Sequence, residues 1–354
     1  MPQKITAVIS ETDFEQNFGF KETSGLFQDP NFRLVINKFG RCYWLLAHDN
    51  LQGPRFSGNN VYYQGNNARL IRTIYPNARC IIDVGGNVGN NTIAYGEFAQ
   101  KVESFEPTPT TLKMLRANIE IAIQQNLKGI YWQGTDEQGD LFRNEKADSG
   151  WYVHKGVSQP MNIVADITVH DVALSNTNTG SIDIIDHLDH GGHNHVVPNG
   201  AQVKLRESQQ LVSVSKRTID SYNFDEVDAI KIDVEGSELM VMQGAKQTIR
   251  EQRPSIQVEI VSKQCKKFGY EPQDLYDFFK DMDYTCVCSN RTHLTKQHKD
   301  LDLYFGKDLG MKHIEIGKYM DRLFVPREVH LATDYNALKQ AHINPKAEEL
   351  FDFG

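Results

Sequence analysis

The 354-residue sequence lacks any apolar run of the about 18 residues that a membrane-spanning helix requires. Met1 to Ser10 holds only a short apolar patch and turns acidic at once with Glu11 and Asp13, so it does not read as a secretory signal. Cysteine is scarce. The five present (Cys42, Cys80, Cys265, Cys286, Cys288) are odd in number and form no C-x-x-C pair, which argues against a disulfide framework or a zinc ribbon. Cys286 and Cys288 alternate in a strand-like run and read as buried structural thiols. Positive charge is also short: 38 Lys and Arg stand against 46 Asp and Glu, a net charge of −8, without the basic footprint of a nucleic-acid binder. These absences predict a cytoplasmic protein with no membrane partner and argue against a nucleic-acid partner, a local basic patch being the alternative. Internal repeats are missing too. What remains, 24% charged and 40% hydrophobic residues, suits a globular protein with a sizeable core.

The chain is organised around Cys80-Ile-Ile-Asp-Val-Gly-Gly-Asn-Val-Gly-Asn-Asn-Thr-Ile-Ala94. Cys80 to Ile82 reads as a buried strand ending at Asp83. Gly85, Gly86 and Gly89, with Asn87 among them, then form a turn that lets backbone approach a ligand closely. Thr92, Ile93, Tyr95 and Phe98 suit a following helix. The dinucleotide fingerprint G-x-G-x-x-G is absent, since the chain reads G-G-N-V-G-N from Gly85, and this disfavours a nicotinamide dehydrogenase. Asp83-x-Gly85-x-x-x-Gly89 is instead the pattern of S-adenosylmethionine-dependent methyltransferases. A second strand, Lys101 to Phe105, delivers Glu106 to the same sheet edge, 106 − 86 = 20 residues after Gly86. That spacing suits an acid accepting hydrogen bonds from ribose hydroxyls.

Along the chain, Phe32 to His48 alternates about a turn at Asn37 to Gly40 and reads as a hairpin. Residues 50–67 read as a loop and Ala68 to Tyr75 as a short helix. Pro109 to Gln125 is an amphipathic helix. Residues 134–160 look like a polar insertion carrying Trp151 and Tyr152, either a lid over a substrate ring or a locally anchored loop. Ile167 to Ser175 reads as one core strand and Ser181 to Ile185 as an extra one. Asp186-His-Leu-Asp-His-Gly-Gly-His-Asn-His195 presents four histidines. We read it as a solvated loop near the site, with a metal-binding segment as the alternative. Further strands are expected at Val227 to Asp233, Ser255 to Ile260, Tyr284 to Cys288, Leu301 to Phe305 and Asp321 to Val325. Helices are expected at Ser237 to Glu251 and near Asp274 to Met282. Strands alternating with helices argue a doubly wound, Rossmann-like α/β sheet. The division predicted is 1–77 as an N-terminal extension with the β-hairpin, 78–326 as the catalytic domain, and 327–354 as a partly helical tail.

Asp83-Val-Gly-Gly-Asn-Val-Gly89, Phe105-Glu106-Pro107, Val172-Ala-Leu-Ser175, Ile230-Lys-Ile-Asp-Val-Glu-Gly-Ser-Glu238 and Arg253-Pro254 occur in this order. Together they resemble the FkbM family of class I S-adenosylmethionine-dependent methyltransferases, over about Ala78 to Pro326. Gly86 departs from the family, which usually has Ala there, and residues 134–160 depart as an insertion. The resemblance implies S-adenosyl-L-methionine as cofactor, bound by Asp83, Gly85, Gly86, Asn87, Gly89, Thr92, Glu106 and Pro107, with Ala173 and Leu174 approaching the adenine. It implies that the N-terminal prefix helps shape the substrate mouth, a mere cap on the sheet being the alternative. It also implies an O-methyltransferase whose acceptor is a small molecule, sugar or glycan. Methylation of RNA or protein, and a non-catalytic S-adenosylmethionine-binding module, are the competing readings.

Methyl transfer to an oxygen needs in-line geometry and removal of a proton. Along a strand, Lys231, Asp233 and Glu235 share one face. Asp233, at the strand's carboxyl end, is expected to act as general base or Mg2+ ligand. Glu235 and Glu238 read either as further ligands or as caps on the next helix, whose N-terminus favours negative charge. Glu259, on the adjacent strand, would share a metal or a substrate hydroxyl.

Overall fold

A computed structural model of the chain describes residues 25–36, 41–49, 68, 71–72, 74–128, 130–135, 141–145, 151–154, 157–160, 163–290 and 319–333. The expected strand at Leu301 to Phe305 and most of the C-terminal tail lie outside them. The hairpin is present: β1 (Phe32–Ile36) pairs antiparallel with β2 (Cys42–Leu46), Leu34 opposite Trp44. Its sequence alternates, yet all five residues of β2 are buried. The reason lies further along, in the long helix α2 (Pro109–Lys128). Asn118 Nδ2 donates to the carbonyls of Trp44 and Val88, and Gln125 Oε1 accepts from Cys42 N–H, so helix amides satisfy a strand edge that faces away from water.

The main sheet has seven strands. β3 (Cys80–Val84) is an inner strand, the middle one of the five parallel strands, with β4 (Lys101–Phe105) and β9 (Asp166–His170) on one side. On the other side come β14 (Val227–Ile232), β15 (Ser255–Val261), β17 (Tyr319–Pro326) and β16 (Tyr284–Asn290). β9, β4, β3, β14 and β15 are mutually parallel, whereas β17 runs antiparallel to both its neighbours. From β3 the chain winds outward to one side and then returns to build the other. The strand order therefore reverses between β3 and β14, which is where an open α/β sheet leaves a crevice at its carboxyl edge.

Strand residues alternate between two cores. Ile81 packs with α1 (Asn90–Gly96), α2 and the hairpin, around Trp44, Tyr95 and Leu115. Cys80, Ile82 and Val84 point the other way, towards Val241, Met242, Ile249, Leu275 and Phe279. Helices thus cover both faces, and the hairpin belongs to the first core.

Four readings need correction. The expected single helix from Ser237 to Glu251 is two: α3 (Glu238–Gln243) and α4 (Lys246–Gln252). The break falls at Gly244, where a Cβ would stand 2.0 Å from the Ser175 carbonyl oxygen. Asp220 then caps the new start, accepting from Gln247 N–H, Thr248 N–H and the Thr248 hydroxyl. The expected strand Ile167 to Ser175 is also split. Its neighbour β4 runs into Pro107, which has no N–H to offer. Ala173–Leu174 (β10) instead pairs with Lys216 and Arg217 of β13 (Gln209–Arg217), in a separate four-stranded sheet with β11 (Ser181–His187) and β12 (His195–Val196). The region expected as a polar loop forms two antiparallel strand pairs, Ile130–Thr135 with Leu141–Glu145 and Trp151–His154 with Val157–Pro160. The side chains of Trp151 and Tyr152 lie outside the described residues. Lastly, β14 stops at Ile232, so the strand alternation does not extend to Glu235.

Candidate functional site

The glycine turn is built by close approach. Gly85 has φ +85°, and a Cβ on it would stand 2.0 Å from the Asp233 carbonyl oxygen. The N–H groups of Gly85 and Gly86 both donate to the Phe105 carbonyl, and Asp233 N–H donates to the Val84 carbonyl. The turn is therefore bolted to the ends of both adjacent strands. At Gly86 a Cβ would meet Ser104 Oγ at 2.4 Å, so the glycine at this position goes with the serine facing it. Asp83, fully buried, accepts from Thr92 Oγ1 at 2.6 Å, and Thr92 Oγ1 lies 2.9 Å from Ser104 Oγ. Burial raises the Asp83 carboxyl above its ordinary range, opposed by the nearby Lys231 ammonium.

Glu106 stands beside the turn. Its carboxylate accepts from Asn87 N–H and Thr108 N–H, both at 2.9 Å, and is only 6% exposed. Burial pushes its pKa up to about 7 despite those hydrogen bonds. Three acceptor oxygens in this neighbourhood, Asp83 Oδ1, Asn87 Oδ1 and Asp186 Oδ1, are buried without a hydrogen-bond partner. A region with surplus acceptors suits a ligand rich in O–H and N–H donors.

The edge beside the turn, towards β14 and β15, is organised by sheet register. Ser104, Asp83, Lys231 and Gln257 are paired across four adjacent strands and form one polar row. Lys231, almost wholly buried, places Nζ 3.3 Å from Asp233 Oδ2 and 3.8 Å from Asp83 Oδ1, bridging the two acids. Beyond β14 the chain turns sharply, with Glu235 at φ 56° and Gly236 at φ 116°. That turn, rather than strand alternation, brings Glu235 beside Asp233. Ligand atoms of Asp233, Glu235 and Glu259 lie within 4.8 Å of one another. Burial, followed by the charges of Asp233 and Glu238, lifts Glu235 to about 8. Glu238 is a local structural acid. It accepts from Gly236 N–H at 2.9 Å and Val234 N–H at 3.3 Å, and it lies 2.9 Å from the Tyr270 hydroxyl.

The sequence reading missed Tyr270 and Gln264. The Tyr270 hydroxyl also reaches the Gly236 carbonyl, and Gln264 donates to Glu235. Neither carries a motif, because each acts only through the turn that it holds. Ala173 and Leu174 are buried in the separate sheet, with their backbone committed to Lys216 and Arg217.

The histidine segment is half-buried rather than free of the fold, with Asp189 and His193 exposed. Asp186 is fully buried, and Gly191 is buried close to Leu46, Thr111 and Asn87. His190 Nδ1 lies 3.3 Å from Asp49 Oδ2, and Asn194 Nδ2 donates to Thr111 Oγ1 at 2.7 Å. Burial and the neighbouring imidazoles lower His187 to about 4. The imidazole rings lie near one another, His190 and His193 with centroids 4.1 Å apart and His187 and His195 5.7 Å apart. Among the described residues the metal-type cluster is Asp233, Glu235 and Glu259. No helix among the described residues is long and apolar enough to cross a membrane.

A glycine turn at the carboxyl end of a parallel strand, an acid on the next strand and a reversal of strand order beside them define an α/β protein with its candidate ligand site at the carboxyl edge of the sheet. The methyltransferase FkbM domain matches residues 83–286, more than half the chain, and the chain belongs to that family. Comparison with curated proteins gave no match. Among solved structures, the chain is similar to methyltransferase FkbM from Methylobacillus flagellatus KT, at 16% identity and a TM-score of 0.35. That match covers 70% of this chain but 44% of the other, so the chain spans less than half of that protein's length. SMU.1697c, a putative methyltransferase from Streptococcus mutans in complex with SAH, matches at 10% identity and a TM-score of 0.34, covering 73% of this chain and 96% of that one. The M. jannaschii tRNA m1G37 methyltransferase matches at 10% identity and a TM-score of 0.37, covering 84% and 57% respectively.

Proposed function

We propose that the chain is an S-adenosylmethionine-dependent O-methyltransferase with a doubly wound, Rossmann-like catalytic domain. Its acceptor is a hydroxyl of a sugar, glycan or other small metabolite. The observation that carries this reading is the meeting of two sites at one backbone contact. The glycine turn, with Glu106 behind it, lies against Asp233, which carries the acceptor-side acids. In this reading the turn from Gly85 to Gly89 holds the methionine moiety of the donor. Asp83, Asn87 and Glu106 accept its hydrogen-bond donors, Thr92 fixes Asp83, and Pro107 ends β4 so that Glu106 stays at the edge. Asp233 receives the proton of the acceptor hydroxyl as the methyl group transfers, and Lys231 holds the carboxylate in place.

Asp233, Glu235 and Glu259 present clustered oxygen ligands of the kind a hard divalent cation takes, so Mg2+ fits this set. Such an ion would supply charge that stabilises the acceptor's oxyanion. A binder without chemistry has no need of these acids, which disfavours the non-catalytic module. The net charge of −8 weighs against an RNA acceptor.

The test is transfer of label from labelled S-adenosylmethionine to a panel of glycans, hydroxylated metabolites and RNA. Transfer to hydroxylated small molecules, falling roughly 10²-fold or more in Asp233→Asn with donor binding intact, is the expected result. Label appearing only on RNA or protein would replace the acceptor class. Near-normal turnover of Asp233→Asn would remove Asp233 from its role.

A further inference from the structure

The hairpin of β11 and β13 carries a buried acid that the proposed function leaves unused. Asp186 is fully buried, and Thr110 Oγ1 and Gln210 Nε2 both donate to its Oδ2, at 2.7 and 2.9 Å. Its Oδ1 is buried and has no partner. Thr110 stands in the first turn of α2, just after Glu106 leaves β4, so the hydrogen bond that anchors Asp186 brings the hairpin to the donor side of the sheet. The segment after Asp186 continues across the glycine turn: a Cβ on Gly191 would stand 3.9 Å from Asn87 Oδ1, another buried acceptor without a partner. Asn194 ties the segment to Thr111, and His190 ties it to Asp49.

A carboxylate with one oxygen doubly satisfied and the other empty is held in orientation, not neutralised. Leaving a buried acceptor unpaired costs stability unless something donates to it. We propose that Asp186 is a second donor-binding carboxylate, whose Oδ1 accepts a hydroxyl or amino N–H of the bound S-adenosyl ligand beside Glu106, with residues 187–195 forming the strap that encloses it. This rests on the donor-site reading above.

The two acids sense one another, since the Asp186 charge helps to raise Glu106. The ionisable groups acting on the adjacent His187 are His195, His193, Asp189 and His190, and His190 also meets Asp49. The residues of α2 and β13 that hold it, Thr110 and Gln210, are uncharged.

Asp186→Asn tests the assignment. Its amide oxygen can still face Thr110 and Gln210, which places an NH2 group where Oδ1 stood and inverts an acceptor into a donor. The measurement is calorimetric binding of S-adenosylhomocysteine to the full chain between pH 5.5 and 8.5, with thermal melting as a check on folding. Asp186→Asn should melt close to the parent and bind about tenfold or more weakly. The pH at which affinity is half gained should move down, because the charge that raised Glu106 is gone. Thr110→Val breaks only the anchoring hydrogen bond and should leave that pH unmoved. Parent-like affinity in Asp186→Asn overturns the proposal. So does a loss that Thr110→Val reproduces with the pH midpoint unmoved, which would make Asp186 purely structural. If the parent itself binds no S-adenosylhomocysteine, the donor-site reading fails, and this inference falls with it.

Discussion

Gly85 and Asp233 touch through backbone: a Cβ on Gly85 would stand 2.0 Å from the Asp233 carbonyl oxygen. The contact joins the glycine turn after β3 to the end of β14, and so sets the spacing between donor and acceptor residues. Gly85→Ala meets both a backbone clash and a φ of +85° that side chains disfavour. We expect it to cost about 2–4 kcal/mol in unfolding free energy by denaturant titration, with donor binding lost. A variant with parent stability would show that the turn can slide past Asp233.

Gly86 gives a sharper test, because its obstacle is one hydroxyl. Gly86→Ala should destabilise, since its Cβ would meet Ser104 Oγ at 2.4 Å. Ser104→Ala removes that oxygen and costs only its hydrogen bond with Thr92, about 1 kcal/mol. The double variant should recover most of the Gly86→Ala loss, giving a coupling of about 1–3 kcal/mol in a double-mutant cycle. Additive losses would mean that Leu115, also close to Gly86, sets the limit.

Glu106 predicts the pH dependence of donor binding. Its pKa stands near 7 in the folded protein, raised by burial. Hydroxyl donors of the ligand favour the ionised carboxylate, so binding should release a proton near neutral pH and tighten as pH rises from about 6 to 8. Calorimetry in buffers of different ionisation enthalpy reads that proton. Glu106→Ala should cost about 1.5–3 kcal/mol of affinity and abolish the release. Affinity that is flat in pH would detach Glu106 from the ligand.

The same shifts set stability. Glu106 and Glu235 both hold protons more tightly folded than unfolded, at about 7 and about 8 against an ordinary 4.5. Their stabilising contribution is full below that ordinary value and is lost as pH rises through the folded values. Melting temperature should therefore fall between pH 5 and 8.5. Glu235→Gln should flatten the upper part of that fall; a steeper decline in the variant would contradict the sign.

A cation held by Asp233, Glu235 and Glu259 should act most where Glu235 has lost its proton, because a proton on that carboxyl competes with the ion. Added Mg2+ should raise the melting temperature more at pH 8 than at pH 6, and Glu259→Gln should remove the effect. The histidine segment should bind no stoichiometric zinc or nickel by elemental analysis. One tightly held ion lost in a His190→Ala/His193→Ala variant would reverse that expectation.

The sequence by itself determined the glycine turn with its flanking strand and helix, and which acids follow the neighbouring strands. Asp83 to Gly89, Glu106 twenty residues beyond Gly86, and Lys231 to Glu238 were legible because strand, turn and spacing are local properties. Glu259 was legible as well, since β15 follows β14 directly and pairs in parallel register. Tertiary structure decided which oxygens face which. Glu235 reaches Asp233 through a left-handed turn held by Gln264 and Tyr270, 29 and 34 residues beyond the turn residues they contact, where strand periodicity had given another route. The helix after β14 breaks because Gly244 lies against Ser175 and Asp220 caps a new start. The histidine segment read as solvated, since its polarity predicts exposure. Packing against the hairpin, α2 and Asn87 buries Asp186 and Gly191 and half-buries most of the rest, and burial by distant elements leaves no periodic trace in the residues that are buried.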